Sequence, residues 1–487
     1  VIFSEVICAV DVGTSEIRAA LIAETGVHLH EIAYTRSAEQ QRPTFDAEVF
    51  WADIVNVLRS LVAGRVGLVI RNISVTSHIG QIILDKQGQS LIDAGSWSDV
   101  RGVEDFQSRI DDDSKILFTS GKPSLTGGGI PLLVWLQVKH PDLHSRVRWV
   151  MAPKDFINFR LTGSISTDPT SAAYTFGYDV RHRVWNDEII SISGLDLNCF
   201  PRLHNATEIM GFVTTHISDL IGIPEGTPVI SGAPDGTLGS AALIGLTKGV
   251  IADIAGTTDV LMTVTSNLAE LDLQGVVINP YIIPDHWSYG GSTGFTGGAT
   301  AHWSGILGFE NVSSALNEFG AEIESIPAGC HGLMMSPLLS GSRFPTWNSD
   351  ERGAVWGLDV NHGSAHLLRA SFESASFVVR EAAEQFPLIN GERSSIYLAG
   401  GIVRSRHIVQ MRADILGRSI FASKESNLSL QGAAILGFTA AGMYGSFEEA
   451  QSAIKSELEI INPNEVNKEI YNDLYERWVT TRKKMFN

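Results

Sequence analysis

Hydrophobic runs and polar breaks alternate along the first hundred residues in a way that predicts most of the early elements. Residues 5–12, EVICAVDV, read as a buried strand, GTSE as a tight turn, and IRAALIAE (17–24) as a second strand. HLHEIAYTR (28–36) predicts a third, antiparallel strand. From residue 46 the period changes. Phe50, Ile54, Val57, Leu58 and Leu61 fall on one face of a helix. VGLVIRNISVTS (66–77) and GQIILDKQG (80–88) return to strand. Strands followed by helices, repeated, predict an α/β architecture.

Past residue 225 the pattern restarts. TPVISGAPDG (227–236) is a strand running into a Gly-rich turn. GVIADIAGTTDVLMTVT (249–265) is strand, Gly-Thr turn, strand, which repeats the grammar of VICAVDVGTSEIRAALI (6–22). The identity between the two is slight, and two unrelated hairpins share such grammar. The pattern favours an internal duplication. NKEIYNDLYERWVTTRKKMF (467–486) predicts an amphipathic helix with Ile470, Leu474 and Trp478 inward and a basic C-terminal end.

Length and charge narrow the picture. A chain of 487 residues exceeds one core, so two or three domains are expected. The net charge of −18 disfavours nucleic acid as a partner and suits a cytoplasmic protein. Local basic groups or a metal still accommodate an anionic ligand. The three cysteines, Cys8, Cys199 and Cys330, are too few and too scattered for a disulfide framework or a zinc cluster, and Cys8 reads as a core filler. VIFSEVICAV lacks a basic leader and reads as a strand rather than a signal peptide. No stretch approaches the roughly 20 apolar residues of a membrane span. The acidic run Asp111–Asp113 reads as a solvated loop or helix cap.

Four stretches carry candidate chemistry. In the first, a strand ends at Asp11 and is followed by Gly13, Thr14, Ser15 and then Arg18. Such a turn can aim amides and hydroxyls at phosphate oxygens, and the acid can hold Mg²⁺ through water, although an ordinary hairpin turn has the same composition. The second, Gly256-Thr257-Thr258-Asp259, repeats that content, and the two together can grip a polyphosphate from both sides of a cleft. In the third, a strand ends in Gly400-Gly401, where missing side chains let a flat ring lie against the backbone. Ser405 and Gln410, on the helix that follows, can reach a base edge. The fourth is Asp235, alone among small residues in GAPDGTLGSAA (232–242). A carboxylate there serves either as a general base toward a hydroxyl attacking a γ-phosphate or as a turn residue bonding local amides.

Together these stretches resemble the FGGY carbohydrate kinase family, a branch of the actin-like, RNase H-like ATPases, over about residues 5–445. The most specific match is GAVWGLDVNHGSAHLLRASFE (353–373), which fits the family's C-terminal signature at Gly353, Val355, Gly357, Leu358, His366, Leu367, Ala370, Ser371, Phe372 and Glu373. SGSRFPTWNSDERG before it, KDFINFRLTG with Asp168 after it, and SWSDVRG are similar to further family segments. The resemblance implies two RNase H-like α/β domains with a cleft between them. Residues 1–245 would hold the sugar and the base, and residues 246–487 the nucleotide. It implies ATP and Mg²⁺ as cofactors and a small sugar or polyol as substrate. The family is often homodimeric. Asp235 would be the catalytic base and, with Asp11, would lie at the metal. Gly13, Thr14, Ser15, Arg18, Gly256, Thr257 and Thr258 would meet the phosphates, and Gly400, Gly401 and Ser405 the adenosine. Ser77, His78, Trp97, Asp99 and Gly236 would sit near the sugar. The expected acceptor is a ketose, pentulose or polyol. The rival readings are a kinase of glycerol or a tetritol, and an ATP-binding regulator without transfer.

The chain also departs from the family. Leu132 stands where the N-terminal signature has Lys, although Trp135 is kept. Ser77-His78-Ile79-Gly80 replaces the Gln-Met-His-Gly of xylulose kinases, and the Arg-Glu pair of glycerol kinases is absent. Gly236 follows the acid where Asn or Gln is common. The sugar pocket is therefore expected to differ from those of the best-known members, with Asp259 compensating from the other domain. His78 reads equally as a satisfied structural residue, and Trp97 as packing or as a stacking platform for a sugar's CH face.

Overall fold

The structure is a computed structural model that describes residues 4–65, 67–123, 128–268, 275–388, 393–454 and 457–486. Its first sheet contains β1 (Ser4–Val12), β2 (Glu16–Ala23), β3 (His28–Thr35), β4 (Leu68–Ser77), β5 (Ile209–Phe212) and β6 (Pro228–Ile230), in the order β5-β6-β4-β1-β2-β3. The second contains β7 (Val250–Ala255), β8 (Asp259–Thr265), β9 (Val277–Pro280), β10 (Trp287–Ser292), β11 (Ser395–Gly400), β12 (Ile420–Ser423) and β13 (Leu458–Ile461), in the order β9-β10-β8-β7-β11-β12-β13.

The two sheets share a plan. In each, the leading strand pairs antiparallel with the strand after its Gly-Thr corner and parallel with a later strand: β1 with β2 and β4, β7 with β8 and β11. In each, a further parallel strand follows, β6 or β12, and an antiparallel edge strand closes that side. The repeated grammar of the sequence is thus a repeated topology. The strands that pair on both sides are the most apolar because both their faces are covered.

Helix α1 (Ala47–Val62) lays the predicted face of Phe50, Ile54, Val57, Leu58 and Leu61 on the first sheet, and Asp46 caps it by accepting from the amides of Glu48 and Val49. Helix α2 (Gly129–Lys139) carries Leu132, and α3 (Asp235–Ile244) follows β6. In the second half, α4 (Thr296–Ile306), α5 (Val312–Ser325) and α6 (Ser364–Ala383) lie between β10 and β11. Helix α7 (Arg406–Leu416) joins β11 to β12, α8 (Leu428–Ala440) follows β12, and α9 (Glu465–Phe486) comes last.

Helices α3 and α8 hold equivalent places after β6 and β12, and they cross at the joint between the halves. A Cβ on Gly432 of α8 would come 2.2 Å from the Leu238 carbonyl of α3. Asn72 of β4 donates to the Gly437 carbonyl at 2.8 Å. One core there unites Ile7 and Ala9 of β1, Leu238 and Ala241 of α3, Ala252 of β7 and Leu430 of α8. Small side chains let the helices approach closely, so the halves are joined by packing as well as by the chain.

The inward face of α9 is Tyr471, Leu474, Tyr475 and Trp478, whereas Ile470 is 42 % exposed. The register is set by Tyr471, whose hydroxyl donates to Glu373 at 2.7 Å and accepts from Arg369, leaving Ile470 one residue off the stripe. The acidic run is a helix cap: Asp112 accepts from the Ser114 amide at 2.8 Å. All three cysteines are free and buried. Among the described residues no helix is long and apolar enough to cross a membrane.

Candidate active site

The first Gly-Thr corner is fixed from below. Gly13 donates its amide to the Glu16 carbonyl at 2.9 Å, closing the β1–β2 hairpin. Arg36, 2 % exposed, donates to the carbonyls of Gly13 and Thr14 at 3.2 and 3.1 Å. Its guanidinium lies over the rings of Phe45 and Phe50, 5.3 and 5.0 Å from their centroids. With both carbonyls held by a buried cation, the corner has little freedom to rearrange. Ser15 is exposed at its tip. Arg18 lies opposite Asp11 in the β1–β2 register and bonds Asn427, just before α8, and Glu16.

Asp11 is the next-to-last residue of β1, with its Oδ1 buried and without a partner among the described residues. Burial first, and then the charge of Asp235, push its carboxyl up to about 8. Asp235 faces it from the first residue of α3. The turn before α3 is bare for a steric reason. Gly232 has φ +74°, and a Cβ there would lie 2.1 Å from the Val75 carbonyl of β4. Thr76 donates to the Ala233 carbonyl at 2.7 Å and Ser429 of α8 to the Asp235 carbonyl at 3.1 Å, so both halves hold the loop. Asp235 Oδ1 accepts from the Gly236 amide at 2.6 Å. Burial nevertheless raises its carboxyl to about 6, against the lowering effect of that amide. Around Gly236 a Cβ would meet open space. Asp235 is therefore an unusually basic carboxylate with room in front of it.

A small cavity beside these acids is lined by Gly80, Gln81, Trp97, Asp99, Leu132 and Tyr174, among others. Trp97 is 46 % exposed, and its Nε1 donates to Thr14 Oγ1 at 3.4 Å, which ties the cavity to the first Gly-Thr corner. The Asp99 carboxylate is gripped by Arg101, with Nη2 2.7 Å and Nε 2.9 Å from Oδ2. The Tyr174 phenol is raised by burial first and by the charge of Asp235 second, so the cavity adjoins Asp235. Leu132 puts an apolar wall where the family has a cation. Ser77 and His78 do not line this cavity. Ser77 is buried and donates to the His78 carbonyl at 3.0 Å. The His78 ring packs 5.4 Å from that of Phe45, and burial pushes its pKa down to about 4, so the neutral ring donates from Nδ1 to the Ile79 carbonyl. The geometry gives His78 a structural place.

The second half holds a cavity of about 520 Å³ between the β7–β8 corner, α4, α5 and the start of α7. Gly256, Gly401 and Ser405 line it. Gly400 has φ +107°, and its Cβ would lie 2.0 Å from the Ala255 carbonyl, so it brings β11 against β7. Gly401 has nothing within 4 Å of a Cβ and leaves the cavity floor open. Thr257 accepts the Gly298 amide on its carbonyl at 2.9 Å, and Thr258 accepts that of Gly256, also at 2.9 Å. Ser405 precedes α7 instead of lying on it. Gln410 is turned from the cavity, donating to Asp414 and to the Asn462 carbonyl at 2.8 Å each. Asp259 faces this cavity and not the one beside Asp235: it pairs with Arg412 at 2.5 Å and accepts from Thr296. Its polar atoms serve the corner's own architecture, which removes it as a sugar residue. Sequence reasoning missed Arg36, Gln81, Tyr174 and the wall supplied by α5.

Comparison with known proteins agrees with this layout. Residues 6–245 match the N-terminal domain, and residues 252–441 the C-terminal domain, described for the FGGY family of carbohydrate kinases. The chain is similar to a xylulose kinase of Bacillus subtilis strain 168, 25 % identical over 96 % of this chain and 95 % of that one. A gluconokinase of the same strain is also 25 % identical, over 92 % and 90 %. Among solved structures, a gluconate kinase and a ligand-bound xylulose kinase, both from Lactobacillus acidophilus, each superpose with a TM-score of 0.90 at 23 % identity, covering 99 % of this chain and 98 % of theirs.

Proposed function

The chain belongs to the FGGY family of carbohydrate kinases, and from that premise we propose that it transfers the terminal phosphoryl group of ATP to a hydroxyl of a ketose, pentulose or other polyol, with Asp235 as general base. It is a sugar kinase; the acceptor class and the residue roles are our reading. Residues 1–245 would hold the acceptor beside Trp97, Asp99 and Gly236, and residues 246–487 the nucleotide against Gly256, Thr257, Thr258, Gly400, Gly401 and Ser405.

The observation that carries this reading is the seat of Asp235: a half-buried carboxylate, raised to about 6 by desolvation, on a turn kept bare by Gly232. The acceptor hydroxyl gives its proton to Asp235 as its oxygen bonds to the γ-phosphorus. The bond from phosphorus to the β,γ-bridging oxygen breaks, and ADP leaves with that electron pair. An alcohol is a far weaker acid than Asp235, so the proton moves late. Most of the acceleration then comes from positioning and from charge stabilisation by the corner amides and hydroxyls at Gly13, Thr14 and Ser15. Asp11 and Asp235 fit a divalent cation, because the orphaned Oδ1 of Asp11 lies beside a second carboxylate that raises it. When bound, Mg²⁺ would neutralise phosphate charge.

The test is phosphoryl transfer from γ-labelled ATP to D-xylulose, D-gluconate, glycerol and erythritol. Label in an acceptor phosphate is expected. ATP hydrolysis indifferent to every polyhydroxyl compound offered would overturn the reading and favour a regulator.

A further inference from the structure

The segment 77–80 and Leu132 leave the acceptor cavity without the polar groups expected there, yet one amide in it is unspoken for. Gln81 is the second residue of the strand Gly80–Leu84. It is 3 % exposed, and neither its Nε2 nor its Oε1 has a hydrogen-bond partner among the described residues. Buried polar groups in folded proteins are nearly always paired, so an amide with both ends open needs a reason. Gln81 also lines the cavity beside Trp97, Asp99 and Tyr174. Space is kept for it: a Cβ on Gly129 would come 3.2 Å from its Oε1.

From these observations we infer that Gln81 is a specificity-determining residue that reads a pair of neighbouring hydroxyls on the acceptor. The inference rests on the assignment of this cavity to the acceptor made above. An amide offers a donor at Nε2 and an acceptor at Oε1. A diol answers both, one hydroxyl accepting and the next donating. A carboxylate answers only Nε2 and leaves Oε1 facing a like charge. The Asp99 oxygens are engaged by Arg101. Gln81 thus takes over recognition that other members place in the preceding segment, and the hydroxyls it reads are ones that are not phosphorylated.

A Gln81→Leu variant keeps the volume and removes both polar ends. The measurements are steady-state kinetics and direct calorimetric binding of D-xylulose, D-gluconate and glycerol, for wild type and variant, with thermal melting of both. For the acceptor that wild type prefers, the variant is expected to raise KM and weaken binding about 10–100-fold, with a much smaller change in kcat. Melting temperature is expected to hold or rise, because a desolvated amide with no protein partner is gone. Monodeoxy analogues of that acceptor should bind wild type as weakly as the parent binds the variant, with no further loss in the variant. Unchanged KM and binding in an active variant would overturn the inference while leaving the kinase reading intact. A lower melting temperature with unchanged acceptor binding would mean that Gln81 is structural, also overturning it. If wild type neither binds nor phosphorylates any of the three compounds, the reading of the cavity falls, and this inference falls with it.

Discussion

Replacing Asp235 by Asn should make the protein more stable as it makes the enzyme inactive. The carboxyl is raised from 3.8 to about 6 by burial, so the folded state holds its ionised form less well than water does. For an acid whose folded pKa lies above its unfolded value, the folded state binds more protons between the two. Stability therefore falls as pH rises from about 4 to about 6, and the full penalty persists at neutral pH. A shift of that size corresponds to about 3 kcal/mol at most. Asn keeps the shape and an acceptor oxygen for the Gly236 amide without the charge. It also removes the charge that raises Asp11, which should ease ionisation there. The expected result at pH 7 is a melting temperature several degrees higher than wild type, a gain that shrinks toward pH 4, and a kcat lower by about 10²–10⁴-fold. Thermal melting across pH and a coupled ADP-release assay measure both. A variant that is less stable at pH 7, or that keeps more than a tenth of wild-type turnover, would refute the idea that burial holds this base at elevated basicity.

Further outcomes follow from other contacts. Gly401→Val should raise the KM for ATP about tenfold or more without lowering the melting temperature, since no atom lies within 4 Å of a Cβ there; isothermal titration with a non-hydrolysable ATP analogue checks it. Arg36→Met removes the cation that holds the Gly13 and Thr14 carbonyls and should weaken nucleotide binding and turnover together, read in the same titration and assay. Arg412→Met leaves Asp253 and Asp259 buried without their counter-charge and should cost about 3–5 kcal/mol of stability in denaturant melts, as for other broken buried pairs.

How far the chain could be read in advance depended on the range of the forces involved. Strand and helix patterns at 5–77 are set by local periodicity, and they appear nearly residue for residue. The duplication was visible because each half opens on the same hairpin. Gly232 and Gly400 could be flagged as glycines, but the carbonyls that exclude a side chain from them, Val75 and Ala255, lie far away in sequence. Gln81 sits in an apolar run and looks like strand interior. Only the cavity shows that its amide is open. Arg36 is the last residue of the predicted third strand, and nothing local shows that Phe45 and Phe50 lie under its guanidinium. Asp259 looked free for a substrate because its partner, Arg412, is 153 residues away. On α9, Leu474 and Trp478 face inward as expected, and only Ile470 was misplaced, because Tyr471 takes the inward position and bonds Glu373. Local order was legible, whereas pairing between remote polar groups was not.

The most direct test of Asp235 as proton acceptor is the pH dependence of kcat/KM for the best acceptor, from pH 3.5 to 8 at saturating Mg²⁺ and ATP. A rate that falls tenfold per unit on the acid side, with its inflection clearly above pH 4, is the expected profile. A rate that stays flat down to pH 5, or one that bends near pH 4 as an ordinary aspartate would, contradicts the assignment.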